Sequence, residues 1–188
     1  KTLLGSDTSN LNIIATMNAG FIPSDVWVQD MKTGGGRIIG EACHFIDLMI
    51  FLSGSRVKSI VMNGLGNAPS DNTDNAIITL RFENGAQGVI NYFSNGSKEY
   101  SKERIELYSQ GRTLIIDNFR KMTGFGFRGF SSMCSTIDKG HKAQFQLLIS
   151  QIKNGGNPII PFEEIANTTR ASFAAIQSLK EGSWINLS

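Results

Sequence analysis

Between Ile38 and Leu52 the chain is almost continuously apolar and contains no proline. A run of that length makes about three to four helical turns, and it predicts a buried helix. At roughly 100° per residue, Arg37, Gly40, Glu41, His44 and Asp47 fall in one sector, with Ile39, Ala42, Cys43, Ile46, Met49 and Ile50 on the opposite side. Upstream, the β-branched stretch Leu11 to Ala19 predicts a strand ended by Gly20. Phe21 to Lys32 fits neither period and reads as a loop leading to Gly34-Gly35-Gly36. Those glycines allow either a tight turn with close backbone approach or a flexible hinge.

Downstream, the alternation changes to period two. Val57 to Met62, Ala76 to Phe82, Gln87 to Phe93, Glu103 to Tyr108 and Thr113 to Ile116 have strand length and composition. Asn84-Gly85 and Gln110-Gly111 mark hairpins, so the strands predict an antiparallel sheet with one face on the core and a more polar face outward. Lys142 to Lys153 predicts an amphipathic helix through Phe145, Leu147, Leu148 and Ile152, stopped by Asn154-Gly155-Gly156. Pro161 opens a second, with Phe162, Ile165, Ala166, Thr169, Phe173, Ile176 and Leu179 on one stripe and Gly182 at its end. Both are expected to cover the sheet. No linker divides the chain, which predicts one domain over residues 1–188.

The chemistry of interest lies in the polar sector of the first helix. Burying ionisable groups without partners costs several kcal/mol, roughly 3–5 for a broken buried pair, so they are paired internally or open onto a cleft. Glu41 precedes His44 by three residues and Asp47 follows by three, and carboxylates at that spacing raise imidazole basicity. A satisfied core histidine fits the same spacing, and both readings stay open here.

Composition narrows the classes. With 40% hydrophobic and 18% charged residues, the balance is that of a globular protein, and no apolar run reaches the roughly 18 residues of a membrane span. A net charge of +2 argues against nucleic acid, since Lys98, Lys102 and Arg104 alternate with Glu99 and Glu103. Cys43 and Cys134 sit in unlike surroundings and are not expected to pair. No secretory signal opens the sequence, which predicts a cytoplasmic location, and Lys1 in place of Met fits a processed chain or part of a longer one. Gly124 to Gly129 spells the dinucleotide fingerprint, but Phe130-Ser131-Ser132 is a poor helix start, so an aromatic loop or edge strand is expected. Walker, HExxH, CxxC and nucleophile-elbow motifs are missing, so no metal is expected.

Several segments together resemble one family. They are Asn18 to Pro23, Trp27, Gly34 to Asp47, Thr73-Asp74-Asn75-Ala76, Phe82 to Gly85, Lys102 to Glu106, Asp138-Lys139-Gly140-His141 and Thr168 to Ala171. In this order they resemble the C-terminal domain of the Gfo/Idh/MocA oxidoreductases, the relatives of glucose–fructose oxidoreductase and inositol dehydrogenase. The resemblance implies an α+β fold of the glyceraldehyde-3-phosphate dehydrogenase C-terminal type, a largely antiparallel open sheet with helices on one face. It further implies that an N-terminal Rossmann domain, with its glycine fingerprint and lysine-bearing loop, binds NAD or NADP and is absent from this chain. The activity implied is hydride transfer between nicotinamide and a secondary alcohol of a sugar, sugar nucleotide or cyclitol, in a homo-oligomer joined through the open sheet face. A non-catalytic binding or dimerisation module is the alternative.

By the same resemblance His44 handles the substrate hydroxyl proton. The acidic residue expected four positions earlier is Gly40 here, so Glu41 is the candidate substitute. Asn18, Trp27, Arg37 and Asp47 are candidate substrate-binding residues, Asp47 chiefly by orienting its neighbours. Gly35 and Gly36 are candidates for close approach to the cofactor.

Overall fold

A computed structural model describes residues 1–138 and 140–187; Lys139, within the family-like segment ending at His141, and Ser188 lie outside the described residues. Nine strands form one sheet among the described residues: β1 (Asn12–Asn18), β2 (Val57–Gly64), β3 (Asn75–Phe82), β4 (Gln87–Phe93), β5 (Glu103–Ser109), β6 (Arg112–Asp117), β7 (Lys121–Phe125), β8 (Ser132–Cys134) and β9 (Ile185–Asn186). Their order is β8-β7-β6-β5-β1-β4-β3-β2-β9. Strand β1 is central, parallel to β4 through Ile14↔Val89 and antiparallel to β5 through Ile14↔Glu106; the other pairs are antiparallel. The fold is thus the expected α+β arrangement. The segment read as an aromatic loop or edge strand supplies the end of β7 at Gly124-Phe125, paired to Leu114 and Thr113.

Period-two burial sets the two faces. Ile13, Ala15 and Met17 of β1, Ile78 and Leu80 of β3, Ile90 and Tyr92 of β4, and Ile105 and Leu107 of β5 are buried. The opposite face carries Ile14, Thr16, Ile77, Thr79, Val89 and Asn91 in register across β1, β4 and β3, with no helix over it among the described residues. Helix α1 (Cys43–Ser53) lies over the buried face, where a Cβ at Gly88 would come within 2.6 Å of Met49 Sδ. Gly54, in left-handed backbone at φ 64°, ends it by donating its N–H to the Ile50 carbonyl at 2.8 Å.

Helix α3 (Phe162–Glu181) packs on β2 and α1 by a face other than the predicted one. Phe162, Ile165 and Phe173 of the predicted stripe are exposed, and Asn167, Thr168, Ala171, Ser172, Ala174, Ala175 and Ser178 are buried with Ile176. The reason is the edge strand beneath. β9 pairs with β2 only at Ser59 and Ile60, which leaves backbone groups on either side in need of partners. Asn167 Oδ1 accepts the Val57 N–H at 2.7 Å and its Nδ2 donates to the Val57 carbonyl at 3.1 Å, while Ser178 Oγ accepts the Met62 N–H at 3.0 Å. Small polar side chains let the helix approach and complete the edge. Asn167→Ala removes two buried hydrogen bonds and orphans Val57, so it should cost about 2–3 kcal/mol, read as a lowered urea midpoint with unchanged slope.

Helix α2 (His141–Asn154) also departs from expectation. No residue of it is buried, and Phe145, Leu147, Leu148 and Ile152 are exposed. It covers no part of the sheet within the described chain. No helix is long and apolar enough to cross a membrane among the described residues.

Candidate active site

The loop before α1 is organised by one carbonyl. Asp30 O accepts the N–H groups of Thr33, Gly34 and Gly35 at 3.3, 2.8 and 3.0 Å, and the Asp30 carboxylate accepts Lys32 N and Thr33 Oγ1. A Cβ at Gly34 would stand 2.5 Å from the Trp27 carbonyl oxygen, and one at Gly36, where φ is 77°, would stand 2.9 Å from Met31 Sδ. Gly34 and Gly36 thus admit the close packing of this loop, and Gly35 and Gly36, the candidates for close approach to the cofactor, both lie in left-handed backbone at φ 73° and 77°.

From this turn the backbone enters a π-helical segment, Ile38–Ala42, before settling into α1. The wider π turn inserts a residue into the helical register, a device frequent at functional sites. It divides the polar sector drawn on the ideal wheel. Arg37 turns inward with its side chain 2% exposed, while Glu41 is 40% exposed and His44 is on the surface.

Arg37 holds three elements together. Its Nη1 donates to the Gly20 carbonyl at 2.7 Å and lies 3.5 Å from Asp74 Oδ2; its Nη2 donates to the Ala19 carbonyl at 3.2 Å and to Glu41 Oε2 at 2.9 Å. The guanidinium also stands 5.4 Å from the Tyr92 ring centre. The Tyr92 hydroxyl donates to the same Glu41 oxygen. Burial, followed by this bond to a carboxylate, pushes the Tyr92 phenol far above its ordinary value, so it is a fixed donor rather than a proton carrier. Asp74 in turn accepts from Gln29 Nε2 at 3.2 Å and Asn75 Nδ2 at 3.0 Å. Arg37, the candidate substrate ligand, thus acts as a strut through its two Nη groups, while its buried Nε has no hydrogen-bond partner among the described residues.

Above this network lies a cavity of about 550 Å³, a size suited to a small ligand. Glu41, His44 and Asp47 share its wall with Leu48 and Phe51 on one side and Lys102 and Phe119 on the other. Glu41 thus has Oε2 pinned by Arg37 and Tyr92, while its Oε1 has no hydrogen-bond partner among the described residues. A fixed carboxylate, an exposed imidazole and a second carboxylate one helical turn on can accept protons and hydrogen bonds from a hydroxylated ligand. Among the described residues no group of three His, Cys, Asp or Glu side chains could hold a metal ion. The two cysteines are free, and burial pushes the Cys43 thiol up.

The remaining candidates lie off the cavity. Asn18 donates its Nδ2 to the Ser97 carbonyl at 2.7 Å, and its Oδ1 would meet a Cβ at Gly96. That side chain ties β1 to the loop after β4 through its Nδ2. Trp27, in the 3₁₀ turn Trp27–Gln29, is exposed and does not line the cavity. Three contributors escaped sequence reasoning. Tyr92 had a local signal, a hydroxyl on the buried parity of β4 that requires a partner. Asp74 stood out only within the family-like Thr73-Asp74-Asn75-Ala76 and Phe119 had no signal, since only the pairing of distant strands brings them here.

Residues 11–115 match the sequence model of the GFO/IDH/MocA C-terminal domain. Over 166 residues the chain is 24% identical to the myo-inositol 2-dehydrogenase of Thermotoga maritima, covering 80% of this chain and 49% of that protein. The chain thus spans about half the length of that curated relative. Among solved structures, an oxidoreductase domain protein from Kribbella flavida matches all of this chain and 61% of its own with a TM-score of 0.76 at 19% identity. A levoglucosan dehydrogenase in complex with NADH and levoglucosan matches 94% of this chain and 58% of its own, with a TM-score of 0.75 at 17% identity. These two structural matches speak for the fold.

Proposed function

The chain belongs to the GFO/IDH/MocA family as an oxidoreductase C-terminal domain, and from that premise we propose that it is the substrate half of a two-domain NAD- or NADP-dependent enzyme. That enzyme moves a hydride between nicotinamide and a secondary alcohol of a sugar, sugar nucleotide or cyclitol. The observation that carries this reading is the surface position of His44 on a helix that buries Phe45, Ile46, Met49 and Ile50, on a cavity wall with Glu41 and Asp47. The names of the matched myo-inositol and levoglucosan dehydrogenases support the substrate class.

Oxidising a secondary alcohol requires that the hydroxyl lose its proton as the carbon loses its hydride, so a base must lie within hydrogen-bond reach. Imidazole suits that task near neutral pH, and His44 takes the proton. Glu41, held by Arg37 and Tyr92, offers its unpaired oxygen to a substrate hydroxyl and stabilises the imidazolium that results. Asp47, three residues after His44 on α1, steadies the same imidazole from the other side. The nicotinamide, when bound, accepts the hydride, and the cofactor is held mainly by an N-terminal half. The uncovered sheet face joins copies of the enzyme, which works in the cytoplasm.

Two measurements test this. The 188-residue chain alone should leave NADH and NADPH fluorescence unchanged, whereas the longer protein that contains it should reduce NAD or NADP with a cyclic polyol, followed by nicotinamide absorbance. Tight NADH binding by the chain alone would overturn the division of labour. A longer protein inert toward every cyclic polyol and sugar would overturn the activity.

A further inference from the structure

The cavity beside His44 continues past α1. A second one, of about 670 Å³, adjoins it, and Lys102, Glu103 and Phe119 line both. Arg120 and Asp138 line only the second. Phe119 stands at the junction, on the turn between β6 and β7, where the Arg120 N–H donates to the Asp117 carbonyl at 2.9 Å. Both central residues of this turn have positive φ, 49° at Asn118 and 50° at Phe119. Asparagine tolerates that backbone and glycine prefers it, but a bulky aromatic adopts it at a cost.

Burial does not offset the cost, because Phe119 remains 43% exposed. The turn is also fixed in place. Asn118 N donates to the Glu103 carbonyl at 2.8 Å, and the Glu103 N–H donates to Asn118 Oδ1 at 2.9 Å. An aromatic ring is thus presented at the junction of two cavities on a pinned, unfavourable backbone, and strain of this kind marks sites of ligand contact.

The charges around it limit what can bind. Lys102 and Arg120 are matched by Glu103 and Asp138, and none of the four forms an ion pair among the described residues. A phosphate or nucleotide would meet as much repulsion as attraction. A neutral polyhydroxylated ring, whose hydroxyls both donate and accept, finds partners of each kind above an aromatic face.

We infer that Phe119 is the platform of a second sugar subsite, so the preferred substrate is a neutral glycoside whose second ring stacks on Phe119 while the ring to be oxidised lies beside His44. This rests on the reading of the first cavity given above. It extends that reading by naming the substrate as a two-ring compound.

The test compares dissociation constants of the 188-residue chain for glucose, cellobiose, maltose and UDP-glucose by ligand-observed NMR, in wild type, Phe119→Gly, Phe119→Tyr and His44→Ala. A disaccharide should bind about tenfold more tightly than glucose, and Phe119→Gly should remove about that factor from the ratio, with Phe119→Tyr retaining it. Since glycine relaxes this backbone, Phe119→Gly should melt no lower than wild type, which separates lost stacking from lost folding. Equal affinity for one ring and two, or a ratio insensitive to Phe119, overturns the subsite and leaves the first cavity's role standing if His44→Ala still weakens glucose. Failure of every sugar to bind overturns both. UDP-glucose binding tenfold more tightly than the disaccharides overturns the neutral class.

Discussion

Replacing His44 with Ala in the proposed two-domain enzyme should lower turnover by about two to four orders of magnitude, the usual contribution of a positioned general base. The melting temperature should not move. His44 lies on the surface of α1 and its side chain makes no hydrogen bond among the described residues, so its removal orphans no buried group. Loss of turnover at constant stability is the signature of a group acting in the reaction, and the fall should appear in kcat and in kcat/KM alike. Turnover within about twofold of wild type would instead identify the chain as a binding or assembly module, and the cavity would lose its catalytic meaning.

Arg37→Met should show the opposite pattern, a stability loss of about 2–4 kcal/mol. The lower bound reflects the partial exposure of Glu41 and the upper bound the cost of orphaning buried acceptors. Methionine fills much of the arginine volume, so the loss reports missing partners rather than a void. Those partners are the carbonyls of Ala19 and Gly20 and the carboxylates of Asp74 and Glu41. For a chain of this size the loss lowers the melting temperature by roughly 5–15 °C. Arg37→Lys should recover only part of it, since one ammonium cannot reach acceptors on both sides of a planar fork. A methionine variant as stable as wild type would show that the network contributes nothing net, and the case for Glu41 as a rigidly held carboxylate would fall with it.

The two variants probe neighbouring residues that an ideal helical wheel places side by side. The wheel assumes a constant rotation per residue, and the π turn at Ile38–Ala42 breaks that assumption between them. His44 and Asp47 keep their predicted relation because both lie in the α-helical part. Arg37 does not, because it precedes the inserted residue.

Local chemistry alone determined the strands from β1 to β6, the hairpins at Asn84-Gly85 and Gln110-Gly111, the helix bearing His44, and the family-like order of motifs. Each follows from neighbours in the chain, through alternation of apolar residues, turn formers with positive φ, or a long apolar run. Only tertiary structure decided that β1 sits parallel to β4 in mid-sheet, since strand adjacency is a contest among all possible partners. It decided that α3 buries its alanines, serines and Asn167 rather than its phenylalanines, because the exposed backbone of β2 requires hydrogen bonds that only small polar side chains deliver at close range. It also brought Tyr92, Asp74 and Phe119, from three separate strands and turns, to the helix that carries His44. Hydrophobic patterning states which side of an element leaves water; which other element meets it there depends on contacts distant in sequence, and no periodicity within one segment records them.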